Sequence, residues 1–186
     1  MKLDLGNGTT VTMDASRTMV LDIETGGFSG TPAFLIGVLL LDPDGARIVQ
    51  WLARDYPEES AVVRCFMNLA ADYPIWISFN GKSFDAPFLR DRATLHRSRP
   101  VEPDEHIDLL HVARRRWRDE LPDCRLTTIE REVLGRTRLD DVPGRDVPDL
   151  FHHFIRTGNA TPLRPVLEHN RRDLITTIEL LGRLVS

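Results

Sequence analysis

Asp22 and Glu24 stand one residue apart in "TMVLDIETGG" (18–27), where a run of apolar, β-leaning residues ends. Side chains alternate across a strand, so positions i and i+2 share a face. The two carboxylates would therefore point the same way at the end of a buried strand. At about 4 Å and an effective dielectric of 20 they repel by roughly 4 kcal/mol. A fold keeps such a pair where something positive sits between them. Hard oxygen ligands select Mg2+ or Mn2+. A pair of such ions about 3.5–4 Å apart stabilises both the attacking and the leaving oxygen of an in-line phosphoryl displacement.

Further along the chain lie residues that could complete such a centre. "FNGKSFDAPFL" (79–89) carries Asp85, and "LEHNRRDLITTIELL" (167–181) carries His169 and Asp173. On a helix, residues four apart lie about 40° from each other and share a face. Asp22 and Glu24 end one strand, and Asp85 begins the helix after another. Adjacent parallel strands bring their carboxyl ends to one edge of an open α/β sheet, where ligands bind in such folds. A helix packed there adds Asp173, and four carboxylates converge. Two divalent cations would offset their repulsion with roughly four positive charges.

The elements that must position these groups read as follows. Residues 3–13 form a short hairpin turning at Asn7-Gly8. The first core strand covers 18–23, and a Gly-, Ser- and Pro-rich loop follows over 25–32. "AFLIGVLLLD" and "ARIVQWLA" read as strands joined by the turn "DPDG". Residues 58–72 have helical spacing, with Val62, Val63, Phe66, Leu69 and Ala70 on one side. The spacing also puts Cys65 on that apolar face. "PIWISFN" (74–80) is a strand, and 83–96 is a helix with Ser83 as N-cap and Asp85 in its first turn. "HIDLL" (106–110) is a fifth strand, running into a helix through "HVARRRWRDEL". Helices are expected near 126–134, 147–157 and 162–184. The order predicts an α/β fold with a mixed five-stranded sheet flanked by helices. Its first three strands, joined by short turns, run antiparallel. No repeat or linker divides residues 1–186, so one domain is expected.

The totals agree with a protein of this kind. A hydrophobic share of 41% and a charged share of 28% fit a globular chain. No apolar run is long enough to span a bilayer, and the N-terminus has no signal-peptide core. Cys65 and Cys124 make no disulfide framework and no C-x-x-C zinc pattern. A reducing cytoplasm is the expected setting, with no membrane partner. Net charge is −4 and unevenly spread: residues 1–60 hold nine acids and four bases. Arginine supplies nearly all the positive charge, Lys2 and Lys82 being the only lysines. Arginine is the better bidentate phosphate ligand, though genomic base composition yields the same bias.

The three acidic motifs, in this order and spacing, resemble those of the DEDD-type 3′–5′ exonucleases of the ribonuclease-H-like superfamily. "LDIETGG" is similar to their first motif, "FNGKSFDAPFL" to the second and "HNRRD" to the third. The likeness is strongest to the YprB-like bacterial ribonuclease-H-like domains, and the first two motifs also resemble the proofreading domain of family B DNA polymerases. "HIDLLHVARRRW", "LTTIEREVLG" and "DDVPGRDVP" resemble accessory segments of the YprB-like group. The resemblance implies a ribonuclease-H-like fold and a two-metal nuclease acting on single-stranded DNA or RNA ends. It implies that Asp22 bridges both ions, with Glu24 and Asp173 on the water-activating one and Asp85 on the leaving-group side. His169 would orient or deprotonate the water. Thr25, Asn80, Lys82 and Ser83 would touch the terminal nucleotide. One feature departs from the family. Its histidine subgroup places His five residues before the last Asp and its tyrosine subgroup places Tyr four before. Here His169 has the tyrosine spacing, so either it works from that position or it is not the base.

Plainer readings stand beside these. Asp22 and Glu24 could be a polar strand end, Asp85 a helix-dipole partner, and His169 with Asp173 a solvated pair. Asp108 could be a fifth acid near the site or the cap of the next helix. "ARRRWR" (113–118) could contact phosphates and bases, but consecutive arginines fan out around a helix and Trp117 is expected to be partly buried. His152 and His153 read as surface residues. Two rival functions use the same set: a ribonuclease-H-like endonuclease, or a nucleic-acid-binding module without turnover. Nothing in the sequence identifies a protein partner or separates DNA from RNA.

Overall fold

The computed structural model describes residues 1–6, 8–27, 30–42 (Asp42 by its backbone) and 45–185. Among the described residues seven strands form two sheets. Strands β1 (Lys2–Asp4) and β2 (Thr10–Thr12) make the small N-terminal hairpin. The main sheet holds β3 (Thr18–Thr25), β4 (Ala33–Asp42), β5 (Gly45–Leu52), β6 (Ile75–Ser78) and β7 (Glu105–Asp108). Helices are α1 (Glu59–Ala70), α2 (Asp85–Leu95), α3 (Leu109–Trp117), α4 (Leu126–Glu132), α5 (Val147–Thr157) and α6 (Leu163–Leu184). The expected turn at Asn7-Gly8 lies outside the described residues at Asn7. So do Pro43 and Asp44 of the expected "DPDG" turn, and Phe28 and Ser29 of the 25–32 loop.

The main sheet has the order β5-β4-β3-β6-β7. β3, β4 and β5 are antiparallel neighbours, while β6 and β7 run parallel to β3. This is the mixed five-stranded α/β architecture the element order predicts. β3 is central, and its alternation sorts its side chains between two cores. Met19, Leu21 and Ile23 join one cluster with Phe34, Ile36, Phe66, Trp76, Leu89 and Phe151, under α1, α2 and α5. Val20 joins the other, with Leu39, Ile77, Ile107, Leu174 and Leu180, under α3, α4 and α6. Asp22 and Glu24 continue the Val20 face, which α6 covers.

Several expectations need correction. β3 runs two residues further than expected, so Glu24 lies within the strand, just before a bulge at Thr25. β6 ends at Ser78 because Asn80 takes the left-handed conformation, φ 72°, and turns the chain. Ser83 is not the cap of α2: the helix starts at Asp85, and the preceding Phe84 makes no side-chain capping bond. Leu109 and Leu110 belong to α3, not to the fifth strand. Cys65 is exposed, on the flank of α1 beside the apolar face rather than in it.

Candidate active site

Asp22 sits at one end of a row that crosses three strands of the sheet. It pairs with Gly37 on β4, and Gly37 pairs with Gln50 on β5. α6 lies directly over that row. Asn170, fully buried, donates from Nδ2 to the Asp22 carbonyl at 3.1 Å and to Asp22 Oδ2 at 2.7 Å. Its Oδ1 accepts from Gln50 Nε2 at 2.7 Å, and Gln50 also donates to Leu167 O at 2.9 Å. The approach is so close that a Cβ on Gly37 would lie 2.1 Å from Asn170 Oδ1. A glycine inside a strand often marks such an approach. "AFLIGVLLLD" therefore carried a signal for the helix crossing that sequence reasoning passed over.

Asp85 arrives from the other side of β3. β6 has already ended there, and Asp85 Oδ1 accepts from Ile23 N at 3.1 Å, where a neighbouring strand would otherwise pair. Gly81 makes room for it, since a Cβ there would lie 2.6 Å from Ser78 and 3.1 Å from Asp85 Oδ2. Asp108 both caps α3 and braces this loop. It accepts from Leu110 N at 3.0 Å, Asn80 N at 2.8 Å and Lys82 N at 3.2 Å. Its charge also reaches Asp85. Both readings of Asp108 thus hold.

α6 brings the last two groups. His169 Nε2 is 4.0 Å from Glu24 Oε1 and 3.7 Å from Asp173 Oδ2. The four-residue spacing puts both on the face of α6 that meets β3. Asp22, Glu24, Asp85, His169 and Asp173 therefore converge. The expected nucleotide contacts are more scattered. Thr25 Oγ1 donates to Gly27 O at 2.8 Å, Lys82 Nζ to His106 O at 3.3 Å, and Asn80 and Ser83 are exposed at the rim. Phe84 beside Asp85 is also exposed and packs on Phe88, ring centroids 5.7 Å apart. Trp117 is partly buried, with Arg116 over its ring. His152 departs from the surface reading. It is half-buried, bridging Gly26 O at 2.8 Å and Tyr56 Oη at 2.9 Å.

Sequence reasoning did not assign roles to Arg138, Asp141 and Glu130. Glu130 and Asp141 lie in the segments "LTTIEREVLG" and "DDVPGRDVP", and Arg138 lies between the two. Arg138 is a buried cation. It contacts Asp173 Oδ1, Asp141 Oδ2 (3.0 Å) and Glu130 Oε2. Its contact with Asp173 is a close charge pair without an aligned hydrogen bond. Asp141 Oδ1 also accepts from His169 Nδ1 at 2.8 Å. Glu130 takes Thr176 Oγ1 of α6 at 3.1 Å.

The electrostatics follow from burial among like charges. Burial, then the charges of Asp173, Glu24 and Asp85, push the Asp22 carboxyl well above its ordinary range, against the Asn170 hydrogen bond. Burial with Asp173, Asp85 and Asp141 raises Glu24 to about 8. Burial raises Asp85 to about 7, although its backbone hydrogen bonds favour the charged form. Burial also raises Asp173, and Arg138 only partly reverses this. Asp141 goes the other way: burial would raise it, but the His169 and Arg138 contacts hold it below the usual range. The donor set is thus hard oxygen whose ionised form the chain itself does not fully compensate, which suits a divalent cation that displaces the protons. Among the described residues no three acids or histidines form a ready-made cation cage. Asp173 in particular is turned onto Arg138.

The chain belongs to the RNase_H_2 family of the RNase H superfamily, whose family model matches residues 19–185. Among curated proteins it is similar to the uncharacterized protein YprB of Bacillus subtilis strain 168, 38% identical over 164 residues. That alignment takes in 86% of this chain and 40% of the relative's length. Among solved structures it resembles a family B DNA polymerase from the hyperthermophilic archaeon Pyrobaculum calidifontis. The TM-score is 0.68 at 18% identity, over 90% of this chain and 24% of the polymerase. That likeness is one of fold.

Proposed function

We propose that the chain is a metal-dependent nuclease, a 3′–5′ exonuclease on single-stranded ends of DNA or RNA, releasing 5′-mononucleotides. The observation that carries this is the meeting of four carboxylates from β3, α2 and α6, three of them held far from their ordinary ionisation by burial and mutual charge. Asp22, Glu24, Asp85 and Asp173 would hold two divalent ions, Mg2+ or Mn2+, whose chemistry when bound is to activate water and stabilise the leaving oxygen. His169 Nε2 faces the gap between Glu24 and Asp173, where it can hold the proton taken from the water. The exposed Phe84, backed by the partly buried Phe88, offers a stacking surface for a splayed base beside Asp85. Thr25, Asn80, Lys82 and Ser83 are proposed to contact the terminal nucleotide. One observation favours a second reading. The Arg138–Asp173 contact supplies an internal cation, as a nucleic-acid-binding module without turnover would need.

The test is a single-stranded oligonucleotide labelled at its 5′ end, as DNA and as RNA, with Mn2+, Mg2+ or EDTA. The expected result is a metal-dependent ladder shortening one nucleotide at a time, absent with Asp22→Ala. Full activity in that variant would overturn the assignment. Cleavage of a circular single strand would make the enzyme an endonuclease. Binding without cleavage would favour the second reading.

A further inference from the structure

Asp141 and His169 are 28 residues apart in sequence and meet on the rim of the acidic site at 2.8 Å. The carboxylate reaches His169 from the segment between α4 and α5. Two features aim it. Asp140 takes a left-handed conformation, φ 56°, which turns the chain just before Asp141. Aspartate is among the few non-glycine residues that enter this conformation readily. Arg138 then grips the other carboxylate oxygen, Oδ2, at 3.0 Å while its second branch contacts Asp173. The segment is itself tied to α6: Arg172 Nη1 donates to Leu139 O at 3.1 Å and Arg136 Nη1 to Glu179 Oε1 at 3.2 Å.

A carboxylate is an acceptor only, so the ring nitrogen facing it must carry the proton. In the neutral ring Nε2 then holds the lone pair, and Nε2 is the atom that faces Glu24 and Asp173. Taking the acidic site to be the nuclease centre proposed above, we infer that Asp141 is a positioning residue. It fixes His169 in the Nδ1–H tautomer and turns Nε2 to where a water must be deprotonated. This gives the histidine a base-competent orientation from a position four residues before Asp173. An outer carboxylate that orients a histidine is a recurrent device.

The experiment reads the tautomer directly. Long-range 1H–15N correlation on histidine-labelled protein resolves the ring nitrogens of its six histidines, with His169→Gln for assignment. In the wild type, His169 should be the Nδ1–H tautomer. Asp141→Ala should lose that preference, and Asp141→Glu should restore part of it. Asp141→Asn keeps the volume and guards against a variant that merely fails to fold. In both Asp141→Ala and Asp141→Asn, kcat on the labelled oligonucleotide should fall about 10- to 100-fold, the range for removing an outer carboxylate. KM and the Mn2+ affinity by titration calorimetry should stay within about twofold. An Nε2–H ring in the wild type would overturn the inference. So would an unchanged tautomer and kcat in both variants. If the wild type cleaves nothing, the nuclease reading fails, and the spectra alone still decide whether Asp141 positions His169.

Discussion

At the scale of single residues, the site is a negotiation between charges that burial makes costly. Arg138 contacts three acids while its side chain is only 6% exposed. Breaking a buried ionic group by removing one member typically costs about 3–5 kcal/mol, because it leaves uncompensated charge. Arg138→Gln should therefore destabilise the protein by about that much near pH 8. Glu130, Asp141 and Asp173 are left facing one another, so the loss should shrink in mild acid, where carboxylates protonate. Urea denaturation at the two pH values measures both, and equal loss at each would argue that packing matters more than charge. Asp22→Asn is expected to act in the opposite direction. It removes one of four mutually repelling carboxylates while leaving the Asp22 carbonyl to accept from Asn170. The metal-free variant should melt at or above the wild-type temperature while losing cleavage, and a clear drop in melting temperature would contradict the repulsion account.

At the scale of elements, one helix does most of the assembling. α6 delivers His169, Asn170 and Asp173, and it reaches β3 only because β4 carries no side chain at Gly37. Gly37→Ala must push Asn170 aside. Overpacking of this kind costs about 1–3 kcal/mol, occasionally more, and a 2.1 Å contact places the expected loss at the upper end. The same shift should weaken Mn2+ binding, measured by calorimetry. Unchanged stability and affinity would show that α6 can lift without consequence. The sequence made the acids legible because each sits in a short local motif whose spacing alone places it on a strand end or helix face. The mixed five-stranded sheet followed from the same local patterns, whereas the order of its strands is a matter of long-range pairing. Asn170, Arg138 and Asp141 were not legible as partners because their contacts with Asp22, Asp173 and His169 span 28 to 148 residues. Ser83 shows a local rule losing to geometry. It has the chemistry of a helix cap, but the left-handed turn at Asn80 and the bracing by Asp108 set the helix start at Asp85 instead.

At the scale of the whole molecule, no described helix is long and apolar enough to cross a membrane, and the acidic site governs how stability responds to pH. Glu24 and Asp85 are raised to about 8 and about 7 in the folded chain, from ordinary values of 4.5 and 3.8. Between those limits the folded, metal-free protein binds more protons than the unfolded chain, so their contribution falls as pH rises. It is complete below the ordinary values and gone once pH has passed the raised ones. In EDTA the melting temperature should therefore fall from about pH 5.5 to about pH 8.5, and Mn2+ should stabilise more at the higher pH because binding displaces protons. A rising melting temperature in EDTA over that interval would refute the account. The long reach between the acids has another consequence. Asp22 and Asp173 lie far apart in sequence, and α6 is the last helix described. During synthesis, domains fold as units while the chain emerges, and a chain stopped before α6 has neither Asp173 nor the lid over Asp22. It should bind no Mn2+ until a peptide spanning 163–184 is supplied. In a chain still being synthesised, the four carboxylates therefore cannot meet until residues 163–184 have left the ribosome.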